Sequence, residues 1–210
     1  MTDTTMDYAS PASTEAITRT TTALTEHNFI PVVVTTKEEA LAKILELIPA
    51  GASVNNGASR TLEQLGFVEH LKAGEHGWNN LHEATLAETD PAKQGLLRKQ
   101  YTISDYYLGS VHALTETGEL LIASATGSQL PAIAYNAQNL ILVVGAQKIV
   151  PTLAEAFVRI EKHVIPLEEE NMQQKYGMGT FHAKTLILHK EHPMMQRSVH
   201  VVIVNEALGF

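Results

Sequence analysis

Two glycine-containing segments carry the residue types that often surround a small anionic ligand. The first is NNGASRT at 55–61, and the second is ATGSQ at 125–129. Glycine lets the backbone approach a ligand closely, and the N-terminus of a following helix presents free N–H groups and a partial positive charge. Nearby hydroxyl groups and one arginine could add donors. The candidate ligand residues are Asn56, Gly57, Ala58, Ser59, Thr61, Gly127 and Ser128, and Arg60 could add positive charge.

Each segment also has a simpler interpretation, in which the glycine makes a tight turn and the serine caps a helix. Neither segment has the Walker A pattern or the GxGxxG pattern. Two such segments in one small chain favour a ligand site more than either does alone, because loops of this kind meet at the carboxyl ends of strands in an open α/β sheet. Both interpretations stay open on the sequence.

Three single residues could add chemistry to such a site. Glu116 is predicted at the tip of a hairpin, where a carboxylate could act as a general base or as an acyl-accepting nucleophile. His112 lies shortly before it, and Lys148 follows a predicted strand that could end at the same sheet edge. The competing interpretations are a solvated turn glutamate, a half-buried structural histidine and a solvated lysine.

The remaining histidines lack the spacing of a metal site. His82 and Glu83 lack the second histidine of HExxH, and His189 and His192 lie near a predicted turn. The chain has no cysteine, which excludes a disulfide framework, a thiolate metal site and a cysteine nucleophile. We therefore expect no metal, and we identify no cofactor, although CoA or a sugar phosphate would suit the glycine segments.

The composition is that of a globular chain, with 210 residues of which 44% are hydrophobic and 18% charged. The net charge of −8 argues against a nucleic-acid or anionic-membrane partner, but a pocket can be locally positive on an acidic protein. No secretory signal and no apolar run of roughly 20 residues is visible, so we expect a soluble protein of the cytoplasm. We expect a flexible N-terminus at 1–10 and a single α/β domain at 11–210.

Strand-like and helix-like segments alternate, which predicts an α/β fold whose mostly parallel sheet is flanked by helices and includes one antiparallel hairpin. Strands are predicted at 29–34, 52–56, 105–114, 119–125, 139–145, 184–189 and 198–205. Helices are predicted at 11–27, after Thr36, Ser59, Asp90 and Thr152, and after the glycine turn at 126–129, through about Tyr135. The apolar run at 139–145 is typical of a central parallel strand. Residues 74–90 are predicted to be an irregular surface excursion, and Pro166 is predicted to kink or end the helix after Thr152.

The segment SDYYLGSVHALTETGELLIASATGSQLPAIAYNAQNLILVVGAQKIVPTLAEAFVRI at 104–160 resembles the central part of LUD-domain (LutC/YkgG-like) proteins, which are linked to lactate utilisation. The segments NGASRTLEQLGF at 56–67 and VVIVNEALGF at 201–210 resemble further elements of that family, in the same order. The resemblance covers about residues 37–210. It implies a fold like that of ribose-phosphate isomerase, glucosamine-phosphate deaminase and the CoA transferases.

In those relatives, glycine-rich loops hold phosphate or CoA, and an acidic residue of the central region performs chemistry. The resemblance therefore implies a ligand-binding role for the two glycine segments and a catalytic role for Glu116. This chain departs from the family pattern in two places. The segment at 176–184 has no cysteine where many members are cysteine-rich, and His112 stands where many have asparagine.

Three functions are compatible with these observations. The chain could be an enzyme or ligand-binding protein for a phosphorylated, CoA-linked or carboxylate small molecule. It could be a non-catalytic accessory subunit of a lactate-oxidising complex, or a small-molecule sensor on a degenerate enzyme fold. The residues alone leave open which of these applies.

Overall fold

A six-stranded parallel sheet forms the centre of the protein, in a computed structural model that describes residues 6–210. Its strands, numbered along the chain together with those of a second sheet, are β1 (Ile30–Val34), β2 (Ser53–Asn56), β3 (Asn79–Asn80), β4 (Tyr106–Gly109), β7 (Asn139–Gly145) and β10 (Ser198–Val204). The order across the sheet is β1-β10-β7-β4-β2-β3, and all neighbours run parallel. The predicted α/β class with a mostly parallel sheet is confirmed.

Strand β7 lies inside the sheet because its side chains are apolar on both faces. Residues 140–144 are fully buried, and β7 pairs with β10 on one side and with β4 on the other. A strand covered on both faces needs a continuous apolar run rather than an alternating one. The prediction of a central parallel strand at 139–145 is confirmed.

A second, four-stranded sheet packs beside the first. It contains β5 (Ala113–Thr115), β6 (Leu120–Ser124), β8 (Ile149–Val150) and β9 (Lys184–Leu188) in the order β8-β5-β6-β9. The predicted hairpin is confirmed, since β5 and β6 pair antiparallel, and β9 extends it antiparallel to β6. Gly118 makes the hairpin turn with a φ of 92°, a backbone conformation that favours glycine.

The predicted single strand at 105–114 is wrong, because the chain changes sheets within it. Strand β4 ends at Gly109 in the parallel sheet, and β5 begins at Ala113 in the second sheet. The hydroxyl of Ser110 donates to the carbonyl oxygen of Val143 (2.7 Å), which fixes the crossing next to β7. This crossing places Ser110, Val111 and His112 between the two sheets.

Eight α-helices are present in residues 6–210. They are α1 (Thr14–Glu26), α2 (Lys37–Leu47), α3 (Arg60–Gln64), α4 (Phe67–Ala73), α5 (Leu81–Ala87), α6 (Pro91–Gln100), α7 (Leu153–Arg159) and α8 (Ile165–Tyr176). The predicted caps Thr36, Ser59, Asp90 and Thr152 each accept a hydrogen bond from a main-chain N–H of the first turn. In this part of the chain, no helix combines the length and the apolar character needed to cross a membrane.

Two further predictions about helices need correction. The segment at 74–90 is not irregular, because it contains β3 and α5. Asn80 caps α5, and Leu81 and Thr85 form the buried face of this helix. The helix was missed because the composition of the segment is polar and the helix buries only a narrow face. The helix predicted after the turn at 126–129, through about Tyr135, is present from residue 130, but its residues Ala132–Asn136 form a π-helical turn.

Pro166 does not end the helical segment in which it lies. Helix α7 passes into a wider π-helical turn at Ile160–Val164, and α8 follows directly. Proline fits here because it stands in the first turn of α8, where its missing N–H is least costly. The predicted interruption of the regular α-helix is thus found in the turn that precedes Pro166.

The segment before α1 lies across the second sheet. Of the N-terminus predicted to be flexible, residues 1–5 lie outside the described part of the chain. The hydroxyl of Tyr8 hydrogen-bonds to a carboxylate oxygen of Glu155 on α7, and the N–H of Ala12 donates to the carbonyl oxygen of Ala146 (3.2 Å). This segment therefore covers part of α7.

Candidate functional site

Lys148 is buried at the end of the parallel sheet and is held by three oxygen atoms. Its Nζ donates to Oγ1 of Thr61 (2.9 Å), to Oγ of Ser110 (3.1 Å) and to the carbonyl oxygen of Val111 (3.1 Å). The side chain is 2% exposed. Three acceptors match the three N–H bonds of an ammonium group, but none of them carries a charge. Burial, and to a smaller extent the positive charge of Arg159, lower the pKa of Lys148 well below its usual value.

The fold brings these partners together from three parts of the chain. Lys148 ends a short 3₁₀ turn, Ala146–Lys148, that follows β7, whereas Thr61 lies on α3 after β2 and Ser110 follows β4. Since β2, β4 and β7 are neighbouring parallel strands, their carboxyl ends lie at one edge of the sheet. The predicted position of Lys148 at this edge agrees with the geometry, and its solvated interpretation does not.

Arg159 is a second buried cation close to Lys148. It has no exposed surface, and its Nη1 donates to the carbonyl oxygen of His112 (2.6 Å). Its Nε and Nη2 are buried and have no hydrogen-bond partner in residues 6–210. The ring of Tyr8 lies 5.9 Å from its guanidinium carbon. Burial lowers the pKa of Arg159 to about 10.

The sequence reasoning missed Arg159. Its position on α7 could have indicated that it is buried, because it lies three residues after the buried Ala156 and next to the buried Ile160. An arginine on the core-facing side of an amphipathic helix needs a buried partner, and none was evident from the sequence.

His112 is partly accessible and is held as a neutral imidazole. Its Nδ1 accepts a hydrogen bond from the N–H of Ala123 (3.0 Å), so the neutral ring carries its proton on Nε2. Burial, followed by the charges of Lys148 and Arg159, lowers the pKa of His112 to about 3. In the described part of the chain, Nε2 makes no hydrogen bond, so this N–H is available to a ligand.

No carboxylate neutralises the two buried cations. Within residues 6–210, no Asp or Glu oxygen lies within 4.0 Å of a side-chain nitrogen of Lys148 or Arg159. By contrast, Arg197, which is similarly buried, pairs with Glu191 at 2.9 Å. The edge of the sheet therefore concentrates positive charge on a protein that is acidic as a whole.

The structure brings the two glycine segments into contact. A Cβ atom added to Gly57 would lie 3.5 Å from Cβ of Gln129 and 2.8 Å from the hydroxyl oxygen of Tyr107. Gly127 has a φ of 85°, and an added Cβ would lie 2.8 Å from Cδ of Lys184. Close packing thus favours glycine at both positions, and Lys184 adds a positive charge beside Gly127.

Hydroxyl groups in the two glycine segments or next to them already accept hydrogen bonds from several main-chain N–H groups there. The N–H of Leu62 donates to Oγ of Ser59 (3.3 Å), and the N–H of Gly127 donates to Oγ of Ser124 (2.8 Å). Ser59 is therefore a helix cap, whereas Oγ of Ser128 accepts from the hydroxyl of Thr126 (3.1 Å). Since α3 has only five residues, its dipole adds little to the positive charge of Lys148 and Arg159.

Asn56 and Ala58 flank Gly57 in different environments. The amide of Asn56 is buried, donates to the carbonyl oxygen of Gly57 (3.1 Å) and leaves its Oδ1 without a partner, whereas Ala58 is exposed. The ring of His82 contacts the main chain here, with Nδ1 3.0 Å from the carbonyl oxygen of Asn56. Burial lowers the pKa of His82, which favours a neutral ring that donates through Nδ1.

Glu116 lies at the opposite end of β5 from His112. Its carboxylate forms an ion pair with Nε of Arg19 on α1 at 2.6 Å, and its N–H donates to the carbonyl oxygen of Val150. None of its hydrogen bonds reaches Lys148 or either glycine segment. A catalytic role for Glu116 therefore stays a prediction. No contact between Glu116 and the other candidate residues supports it.

Metal-binding side chains are scattered rather than clustered in the described residues. No group of three or more His, Asp or Glu residues there could hold a metal ion. For an anionic group, the geometry offers Nε2–H of His112, the buried cations beside it and the ammonium group of Lys184.

Comparisons with known proteins agree with this architecture. The family model described as the LUD domain matches residues 17–204. A crystal structure of a DUF162 family protein from Deinococcus radiodurans is similar, with 15% sequence identity and a TM-score of 0.54 over 93% of this chain and 100% of that chain. At this identity the similarity supports the fold alone. A search of curated proteins finds no match.

Proposed function

The chain belongs to the LUD-domain family, and from this premise we propose that it binds a small anionic ligand where Lys148, Arg159 and His112 lie together. The observation that carries the proposal is the burial of two cations without a carboxylate within 4.0 Å in the described residues. We further propose that the ligand belongs to the utilisation of lactate or a related small organic acid, in the cytoplasm. A carboxylate, a phosphorylated compound or a CoA thioester would supply the missing negative charge.

The energetic argument rests on the cost of an unpaired buried charge. Removing an ion from water costs several kcal/mol even after the protein relaxes, and two neighbouring ions of like sign increase that cost. A bound anion offsets this cost and fills the unused donors of Arg159 and His112. Several N–H groups of the glycine segments already have partners, so we do not expect them to bind the anion. We expect the segments to leave space for the ligand and Lys184, beside Gly127, to add positive charge.

The proposal is tested by thermal unfolding in the presence of different anions. Pyruvate, L-lactate, a pentose phosphate and acetyl-CoA are compared with sodium chloride at equal ionic strength. We expect at least one of the four to raise Tm more than chloride does, because a ligand that binds only the folded state stabilises it. If none does, the proposal is wrong.

A pair of charge-removing variants locates the binding. Arg159→Met removes a buried cation, whereas Lys72→Met removes a positive charge from an exposed pair with Glu69. We expect the anion-induced rise in Tm to be lost in the first variant and kept in the second. Equal rises in both variants would place the anion elsewhere.

A second function, as an accessory subunit of a lactate-oxidising complex, is favoured by an exposed apolar segment. Tyr176 at the end of α8, and Met178 and Phe181 between α8 and β9, are 67%, 56% and 69% exposed. Exposed apolar side chains grouped in this way are typical of protein contacts. Affinity purification from the native host grown on lactate tests this function, and recovery of the protein alone would contradict it.

A further inference from the structure

Lys148 is covered by one short segment that is held mainly through main-chain atoms. The N–H of Leu208 donates to Oε1 of Gln147 (3.2 Å), and Nε2 of Gln147 donates to the carbonyl oxygen of Leu208 (2.9 Å). The N–H of Gly209 donates to Oε1 of Gln64 (2.6 Å). Leu208 is buried in the core, whereas Gly209 is attached by this hydrogen bond and by contact with the lysine.

Gly209 packs against Lys148 with no space for a side chain. A Cβ atom there would lie 3.0 Å from Nζ of Lys148 and 2.2 Å from Oγ1 of Thr61, and the φ of Gly209 is 69°. A cavity of about 230 Å³ is lined by Phe210 together with Arg60, Lys175 and Glu170. Because Phe210 lines this cavity and Gly209 contacts Lys148, a ligand in the cavity would reach the lysine only if these two residues moved aside.

We propose that Lys148 forms a reversible imine with the carbonyl carbon of a 2-oxo carboxylate, whose carboxylate group lies by Arg159 and His112. The inference rests on the proposed anion site and names the ligand class for it. A primary amine condenses with aldehydes and ketones, and the neighbouring cations call for a negative charge. Lys148 and Arg159 bind carbonyl oxygens of consecutive residues, and the charge of Arg159 acts on Lys148, so a small molecule with both functional groups suits this part of the structure.

Three acceptors hold Lys148 as an ammonium group in the anion site, and this group must lose a proton before the amine attacks a carbonyl carbon. Burial and the neighbouring guanidinium lower the pKa of Lys148 and so favour this loss, as they do for reactive lysines in general. The neutral amine donates two hydrogens, and the hydroxyl of Thr61 can then turn its proton towards the nitrogen lone pair. The other acceptors of this hydroxyl, Oγ of Ser110 (3.2 Å) and the carbonyl oxygen of Leu208 (3.4 Å), lie farther from it than Val143 lies from the hydroxyl of Ser110 (2.7 Å).

The reaction needs no oxidant or reductant. Nζ forms a bond to the carbonyl carbon, and the carbonyl oxygen gains a proton to give a carbinolamine. Loss of a second proton from nitrogen and departure of that oxygen as water give the imine, and hydrolysis reverses each step. Thr61 is placed to carry protons between nitrogen and oxygen, since its hydroxyl lies 2.9 Å from Nζ.

Reductive trapping tests the inference residue by residue. The full chain is incubated with pyruvate and sodium cyanoborohydride, and the modified lysines are identified by peptide mass spectrometry. We expect modification of Lys148 with pyruvate and several-fold less with acetone, which has the carbonyl group but no charge. Propionate, which has the charge but no carbonyl group, is expected to slow the modification by pyruvate. Absence of modification at Lys148 while exposed lysines react would overturn the inference, as would equal modification by pyruvate and acetone.

Two variants test the imine. Lys148→Arg has no primary amine at this position, so it should lose the adduct. Gly209→Ala pushes the covering segment away from Thr61, so it should be modified several-fold faster than the wild type; an unchanged rate would contradict the covering role. An anion-induced rise in wild-type Tm without an adduct at Lys148 would refute the imine and leave the anion site standing. An adduct without any such rise would instead refute the proposed function.

Discussion

Lys148 and Arg159 donate hydrogen bonds to the carbonyl oxygens of two consecutive residues, Val111 and His112. These carbonyl groups lie where the chain crosses from the parallel sheet to the second sheet, between β4 and β5. One short crossing segment therefore holds two buried cations from different parts of the chain. This arrangement explains why positive charge gathers at one edge of an acidic protein.

The two buried arginines should respond differently to replacement. Arg197→Met removes hydrogen bonds to three main-chain carbonyl groups and the ion pair with Glu191, and leaves that carboxylate without its partner. We expect a loss of about 3 kcal/mol in the free energy of unfolding, since breaking a buried pair strands the remaining charge. Arg159→Met removes one hydrogen bond and an unpaired charge, so we expect a change within about 1 kcal/mol.

Urea unfolding in the absence of added organic anions measures both free energies. A loss for Arg159→Met as large as that for Arg197→Met would mean that Arg159 is already neutralised. A negative charge would then already lie beside Arg159 without a ligand, which would contradict the proposed anion site.

Stability should fall as the pH is lowered through the range in which unfolded histidine gains a proton. The pKa of His112 is about 3 in the folded protein and near 6.5 in an unfolded chain, so the unfolded state binds more protons between these values. The contribution of His112 is therefore present above pH 6.5 and is lost towards pH 3. Because the ring is partly accessible, we expect a loss of about 1–2 kcal/mol between pH 7 and pH 5.

Urea unfolding at pH 7 and pH 5 measures this loss. His112→Asn should reduce the pH dependence, since its side-chain oxygen can still accept from the N–H of Ala123 and does not titrate in this range. His189→Asn removes an exposed histidine and should behave as the wild type does. Equal pH dependence in the two variants would contradict the assignment to His112.

Gly57→Ala should disturb the contact between the two glycine segments. The added methyl group would lie 2.8 Å from the hydroxyl oxygen of Tyr107, and relief of this overlap requires movement of the ring or of the segment. We expect a loss of about 1–3 kcal/mol, in the range of other overpacked sites. The free energy of unfolding and the anion-induced rise in Tm are measured together.

Tyr107→Phe removes the oxygen atom that the new methyl group would meet. The double variant Gly57→Ala with Tyr107→Phe should therefore regain most of the stability lost by Gly57→Ala alone. A purely additive result would show that the cost arises elsewhere, for example against Gln129.

Glu116→Gln separates binding from any reactive role of this carboxylate. Its ion pair with Arg19 lies at the surface, so its loss should cost no more than about 1 kcal/mol. We expect the anion-induced rise in Tm to stay unchanged, with Arg19→Gln as the matched control. Loss of turnover of an identified substrate with retained binding would support the predicted catalytic role, whereas loss of binding would contradict the location of the anion site.

Much of the architecture could be predicted from local sequence. The apolar run at 139–145 determined a strand buried on both faces, and Thr36, Ser59, Asp90 and Thr152 marked four helix starts. These features depend on residues a few positions apart, and so did the hairpin turn at Gly118. Where the buried face was narrow, as in α5, the same reasoning failed.

The composition of the site was decided by the tertiary structure. Lys148 meets Thr61 across 87 positions, and Gly57 meets Gln129 only because the ends of β2 and β6, which belong to different sheets, lie side by side. The sequence by itself determined the family motifs, the strand-helix alternation and which glycine segments would be near a sheet edge. Only the tertiary structure decided that Arg159 is buried, that Glu116 pairs with Arg19, and that 105–114 divides between two sheets. The physical reason is that periodicity and capping act within one element, whereas burial and charge pairing depend on which elements become neighbours.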